Sequence, residues 1–127
     1  MLSTTTLTKD NFEDVIRTNA LVIVDFWAPW CGPCRAFAPT FEKSSEKHAD
    51  VVHAKVNTDE EQELAGSFGI RSIPTLMIFR EQVILYSEPG ALPPQALENL
   101  IVQVKAVDMA AVHKQLAEQE SGAEGGG

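Results

Sequence analysis

Cys31 and Cys34 are the only cysteines of the 127-residue chain, set three apart in Cys31-Gly32-Pro33-Cys34. On a helix, residues three apart are neighbours, so the two sulfurs can form a dithiol–disulfide couple. Only the thiolate attacks a disulfide. The pair follows an apolar run, Leu21–Trp27, and opens a stripe at helical spacing, Cys34, Phe37, Ala38 and Phe41. A sulfur at a helix N-terminus faces unpaired N–H groups and the positive end of the helix dipole, and both favour its charged form. Cys31 is nearer the helix start and reads as the nucleophile. Cys34, one turn inside on the apolar stripe, reads as the buried thiol that resolves a mixed disulfide. Two other readings compete. A zinc site needs two further ligands, and the available histidines, His48, His53 and His113, form no close pair. Inert thiols belong in a core rather than at a helix start. A C-x-x-C between a strand and a helix favours redox chemistry over both.

The elements that must hold this pair follow from periodicity. Thr8 reads as a cap for a helix carrying Phe12, Val15 and Ile16, with Asn19 as its stop. Leu21–Trp27 reads as a strand buried on both faces. The helix from Cys31 to about His48 contains Pro39, which should bend it. Val51–Val56 is a second strand. Thr58 or Asp59 then caps a short acidic helix that Gly69 closes. Ile73–Phe79 and Val83–Tyr86 read as strands paired in a hairpin, and Pro93 and Pro94 open a helix with Leu97, Leu100, Ile101 and Val104 on one face. Met109, Val112 and Leu116 form a last stripe, capped by Asp108. Alternation of strands and helices implies parallel crossovers, and the late hairpin adds an antiparallel pair.

Three residues break these patterns. Asp25 interrupts an apolar strand. A buried carboxylate is costly and its pKa should rise. It is either a proton acceptor for Cys34 or a pleat position that reaches solvent or an ion pair. Lys55 alternates with Val51 and His53 on the next strand, and its stem is long enough to reach water. Pro74 stands at a strand entrance, where a trans bond is also tolerated.

Composition sets the outer bounds. Hydrophobic residues make up 44% and charged residues 22%, as expected of one globular domain. Ten basic against eighteen acidic residues give a formal charge of −8, which disfavours nucleic acid and anionic membrane surfaces. Asp59, Glu60, Glu61 and Glu63 read as a solvated helix face. No apolar run approaches the roughly 20 residues of a membrane span. The N-terminal residues show neither a basic cluster nor an apolar core of a signal peptide, so the expected location is the cytoplasm, where paired cysteines are more often catalytic than structural.

Trp27-Ala28-Pro29-Trp30-Cys31-Gly32-Pro33-Cys34 resembles the active-site segment of the thioredoxin family. The resemblance runs from about Leu7 to Val107. It also rests on Val24-Asp25-Phe26-Trp27, Ala54-Lys55-Val56-Asn57, Gly69-Ile70-Arg71-Ser72-Ile73-Pro74-Thr75 and Gly90-Ala91-Leu92. It implies an α/β thioredoxin fold: a central mixed sheet flanked by helices, here with an additional C-terminal helix. It implies general reduction of protein disulfides, with disulfide-containing client proteins and a thioredoxin reductase as partners. The reductase would pass electrons from NADPH, and the chain itself would bind no cofactor. Nor does the chain contain the G-x-G-x-x-G run of a dinucleotide site. By the same resemblance Asp25 accepts the proton of Cys34, directly or through a water, and Lys55 lies near Asp25 and tunes it. The Ile73–Pro74 bond is cis and faces the cysteines, and the Ile73 backbone pairs with an extended client segment. Trp30, Gly32 and Pro33 frame the nucleophile, while Gly90 and Ala91 complete a flat rim.

The chain departs from the family pattern at three places. Gln82 stands where the hairpin turn usually has glycine; a non-glycine residue at positive φ is strained, so a remodelled turn is expected, with no effect on activity. Pro89 replaces a residue that is usually β-branched, just before Gly90. The third departure is length. Residues 1–107 read as the domain, 108–120 as an added helix, and 121–127 as a disordered Gly-rich tail. The added stripe either docks on the body or makes a partner or dimer contact; otherwise the chain is expected to be a monomer. Two further functions remain open on the residues: a thiol oxidase or isomerase, which the Gly32-Pro33 pair disfavours, and a non-enzymatic adaptor.

Overall fold

A computed structural model describes residues 3–125, with side chains through Glu120. Met1, Leu2, Gly126 and Gly127 lie outside the described residues, and with them parts of the N-terminal segment and of the expected tail. The elements run β1 (Thr4–Thr6), α1 (Phe12–Thr18), β2 (Leu21–Trp27), α2 (Gly32–Lys47), β3 (Val52–Asn57), α3 (Gln62–Ser67), β4 (Thr75–Arg80), β5 (Val83–Pro89), α4 (Pro94–Ala106) and α5 (Met109–Gly125).

The sheet order is β1-β3-β2-β4-β5. β1 and β2 both pair parallel with β3, whereas β4 runs antiparallel to β2 and β5 antiparallel to β4. This is the mixed sheet flanked by helices that the resemblance implies. Alternation along β2 separates two cores. Val22, Val24 and Phe26 pack with Ile16 of α1 and Ala65 of α3. Leu21 and Ile23 pack with Phe37 and Phe41 of α2 and with Leu97, Ile101 and Val104 of α4. Asp25 therefore shares its face with the α2 side.

β1 goes beyond the expected order. Its three threonines have no apolar alternation, yet they pair with His53, Ala54 and Lys55, and Leu7 behind them is fully buried. The cap of α1 also lies elsewhere. The helix starts after Asn11, because Thr8, Lys9 and Asp10 form a turn in which Asn11 Oδ1 accepts from the Thr8 N–H at 2.7 Å. α3 begins after Glu61, with neither Thr58 nor Asp59 as its cap. It ends as expected at Gly69, whose φ of 65° allows the Ile70 N–H to reach Ala65 O (3.1 Å) and the Gly69 N–H to reach Gly66 O (3.0 Å).

The β4–β5 turn is not remodelled to avoid positive φ, contrary to the expectation from Gln82. Glu81 and Gln82 have φ values of 51° and 68°, the left-handed pair of a tight hairpin, without a glycine. Arg80 beside it donates to the carbonyls of Val104 (2.7 Å), Lys105 (3.0 Å) and Val107 (2.8 Å), which otherwise end α4 unpaired. α5 docks through its first turns: Met109 is buried, and His113 Nε2 lies 2.9 Å from Glu81 Oε1. Helical backbone continues to Gly125, past the Glu120 at which the apolar pattern ends it. Ala123 and Glu124 favour helix between Gly122 and the terminal Gly125.

Candidate active site

The site forms where β2 ends and α2 begins. Ala28, Cys31 and Cys34 are buried together, with Trp27 and Ile73 packed against them. Cys31 and Cys34 are joined in a disulfide, with Cα atoms 5.2 Å apart. Cys31 is the N-cap of α2: its backbone is extended, and its Sγ accepts the Cys34 N–H at 3.2 Å. A sulfur thus occupies the place where a capping oxygen usually sits, facing donors that favour negative charge. Gly32 and Pro33 form the first turn of the helix and are exposed, and a proline there gives up only an N–H that would be orphaned anyway. Cys31 is 5% and Cys34 2% exposed, so the disulfide meets solvent chiefly through Cys31.

Asp25 is fully buried, and neither of its carboxylate oxygens has a hydrogen-bond partner among the described residues. Burial raises its pKa to about 7, with the nearby Lys55 charge pulling the other way. Lys55 is opposite Asp25 in the β2–β3 register, and its Nζ lies 4.7 Å from the centroid of the Trp27 ring. A carboxyl that titrates near neutrality on the α2 face can exchange a proton with a thiol in either direction.

The loop before β4 closes the other side. The Ile73–Pro74 bond is cis, and the Ile73 carbonyl oxygen lies 3.8 Å from Cys31 Sγ. The Gly90 N–H donates to Pro74 O at 2.8 Å. Gly90 has a φ of 108°, a conformation that a side chain would strain, and Ala91 next to it is exposed. The structure therefore brings together Cys31, Cys34, Gly32, Pro33, Ile73 and Pro74, with Asp25 and Lys55 on the strands beneath and Gly90 against Pro74.

Trp30 stands 67% exposed beside Cys31. Its indole Nε1–H donates to both carboxylate oxygens of Asp59, at 3.0 and 3.2 Å. Asp59, expected on a solvated helix face, instead reaches into the site from the β3–α3 loop. No periodicity signals a contact made across 29 residues. The histidines are satisfied elsewhere. His53 is buried, with Ser44 Oγ 2.8 Å from Nε2 and Val51 O 3.0 Å from Nδ1, and burial lowers its pKa. His48 pairs with Glu98 at 2.7 Å. No group of three or more potential metal-binding side chains occurs among the described residues. No helix among them is long and apolar enough to cross a membrane.

Residues 3–103 match the thioredoxin family model. The chain is 51% identical over 121 residues to the putative thioredoxin 2 of Streptomyces coelicolor, covering 95% of this chain and 90% of that protein. That match reaches into α5, beyond the end of the family model. It is 46% identical over 103 residues to a thioredoxin of Alicyclobacillus acidocaldarius, covering 80% of this chain and 98% of that one. Among solved structures, a Plasmodium falciparum thioredoxin superimposes with a TM-score of 0.73 at 36% identity, over 78% of this chain and 97% of its own.

Proposed function

The chain belongs to the thioredoxin family and is a thiol–disulfide oxidoreductase that reduces protein disulfides, and from that premise we propose how its residues divide the reaction. Cys31, as thiolate, attacks one sulfur of a client disulfide. A Cys31–client bond forms, and the client's other sulfur leaves as a thiolate that takes a proton. Asp25 then accepts the proton of Cys34, directly or through a water, and the Cys34 sulfur attacks Cys31 Sγ. The Cys31–Cys34 disulfide forms, and the second client thiol is released. The client gains two electrons and two protons, and the chain is left in its oxidised form. Lys55 tunes Asp25 by its charge.

A client segment pairs with the Ile73 backbone ahead of cis-Pro74. Trp30, Gly32, Pro33, Gly90 and Ala91 form the surface it lies on. A thioredoxin reductase restores the dithiol with electrons from NADPH, and the chain holds no cofactor of its own. We place this cycle in the cytoplasm and in a monomer, with residues 1–107 as the working domain and α5 as an accessory. The supporting observation is the capped disulfide at the start of α2, together with a buried carboxyl on the strand leading into it whose pKa lies near neutrality.

Single-cysteine variants test the division of labour. Cys34→Ser should accumulate mixed disulfides with client proteins, since attack proceeds and resolution cannot. Cys31→Ser should trap none. Equal trapping by both variants would reverse or dissolve the assignment.

A further inference from the structure

The most exposed large apolar side chain of the described residues is nonetheless tethered. Trp30 leaves 67% of its surface to solvent, yet its indole N–H is held by both oxygens of Asp59. Asp59 is itself oriented. Its backbone N–H donates to Asn57 Oδ1 at 3.0 Å, and the Glu60 N–H donates to the same oxygen at 3.3 Å. Asn57 is the last residue of β3 and lies opposite Trp27 in the β2–β3 register. Between them, Thr58 ties the loop to the end of β2: its N–H and its hydroxyl donate to Trp27 O at 2.8 and 3.0 Å. The loop after β3 is thus stapled to the strand that leads into Ala28-Pro29-Trp30-Cys31. A free surface indole samples several rotamers, and ordering such a side chain on binding costs affinity.

We propose that Asp59, oriented by Asn57, is a positioning residue for client docking: it holds the Trp30 indole in one pose beside Cys31, so that a protein client meets a preset aromatic platform. The proposal rests on the reading of Cys31 as nucleophile and adds how this chain prepares the surface around it. Asp59 acts through Trp30 and touches neither sulfur. Its loss therefore weakens docking of a client large enough to cover the indole, and leaves the chemical step unchanged.

The test compares a protein disulfide with 2-hydroxyethyl disulfide, which is too small to need the platform. Asp59→Ala should raise KM for the protein about 3- to 10-fold, with kcat and the small-disulfide rate unchanged. Asp59→Asn keeps an acceptor oxygen and should restore KM. Asn57→Ala, which leaves the carboxylate present but unoriented, should show a smaller rise of the same kind. In a Trp30→Ala background, Asp59→Ala should add nothing. The Trp30 indole N–H resonance should stay protected from exchange in the parent and in Asp59→Asn, and lose protection in Asp59→Ala. An equal loss on both disulfides, full additivity with Trp30→Ala, or an unmoved indole resonance overturns the proposal. Failure of the underlying reading looks different: Cys31→Ser would then reduce the protein disulfide as fast as the parent, and the proposal would fall with it.

Discussion

At the end of the sheet where β2 gives way to α2, a fully buried carboxyl has no hydrogen-bond partner among the described residues, and a disulfide sulfur serves as a helix cap. At the other end, where β4 turns into β5, one arginine serves three carbonyls, a histidine meets a glutamate, and the Glu81 N–H donates to Ala20 O at 2.8 Å. The register places the two regions at opposite ends of the same strands: Phe26 lies across from Thr75, and Leu21 from Arg80. Both regions contain unfavourable local states. Near the cysteines these are polar groups left ready to react. At the hairpin they are two exposed left-handed residues, of which Glu81 is held by His113 and by Ala20 O. Strain that carries chemistry is left unrelieved, and strain that carries none is met by partners.

The sharpest way to break this contrast is to remove the unrelieved group. The unfolded chain releases the Asp25 proton near pH 4, whereas the folded chain keeps it until about pH 7. The Asp25 contribution to folded-state stability therefore falls as pH rises through that window and is level on either side. Asp25→Asn should abolish that contribution and be more stable than the parent at pH 8, by roughly 2–4 kcal/mol in urea unfolding. The same variant should slow disulfide reduction by roughly 10- to 100-fold, within or just below the usual contribution of a positioned base. A variant no more stable than the parent, or equally fast, would place Asp25 on the same footing as the residues of the hairpin end.

This division was only half legible beforehand. Periodicity places nine of the ten elements in order, because each buries a face whose spacing is written locally. The exception, β1, is three threonines whose pairing is set by backbone bonds to β3 and not by an apolar pattern. At the site, Cys31 and Cys34 stand out by their spacing at a helix start, and Asp25 and Pro74 because each breaks the pattern around it. Asp59 and Arg80 do not. An acid among acids and a cation at a strand end look solvated until the fold brings Trp30 and the end of α4 to them.

Arg80→Ala probes the relieved end. It strands three carbonyls that now share a charged donor, so unfolding should become easier by about 2 kcal/mol while the rate of disulfide reduction stays at the parent value. A loss of rate would show that the two ends are coupled. The smallest effect is expected at the turn. Gln82→Gly relieves one left-handed side chain and should stabilise by about 0.5–1 kcal/mol, again with no change in rate. A destabilised Gln82→Gly would mean that the surrounding contacts have made the turn conformation free of strain.

The seating of α5 at the hairpin has a practical side. A seven-residue strand such as β2 spans about 20 Å, and α5 starts at the end of the sheet away from the cysteines. A surface or bead linked at this end of the sheet, beside the β4–β5 turn, would hold every copy with its disulfide turned outward. Cys34→Ser immobilised that way becomes an oriented trap, able to fish mixed-disulfide partners from solution without the support blocking their approach.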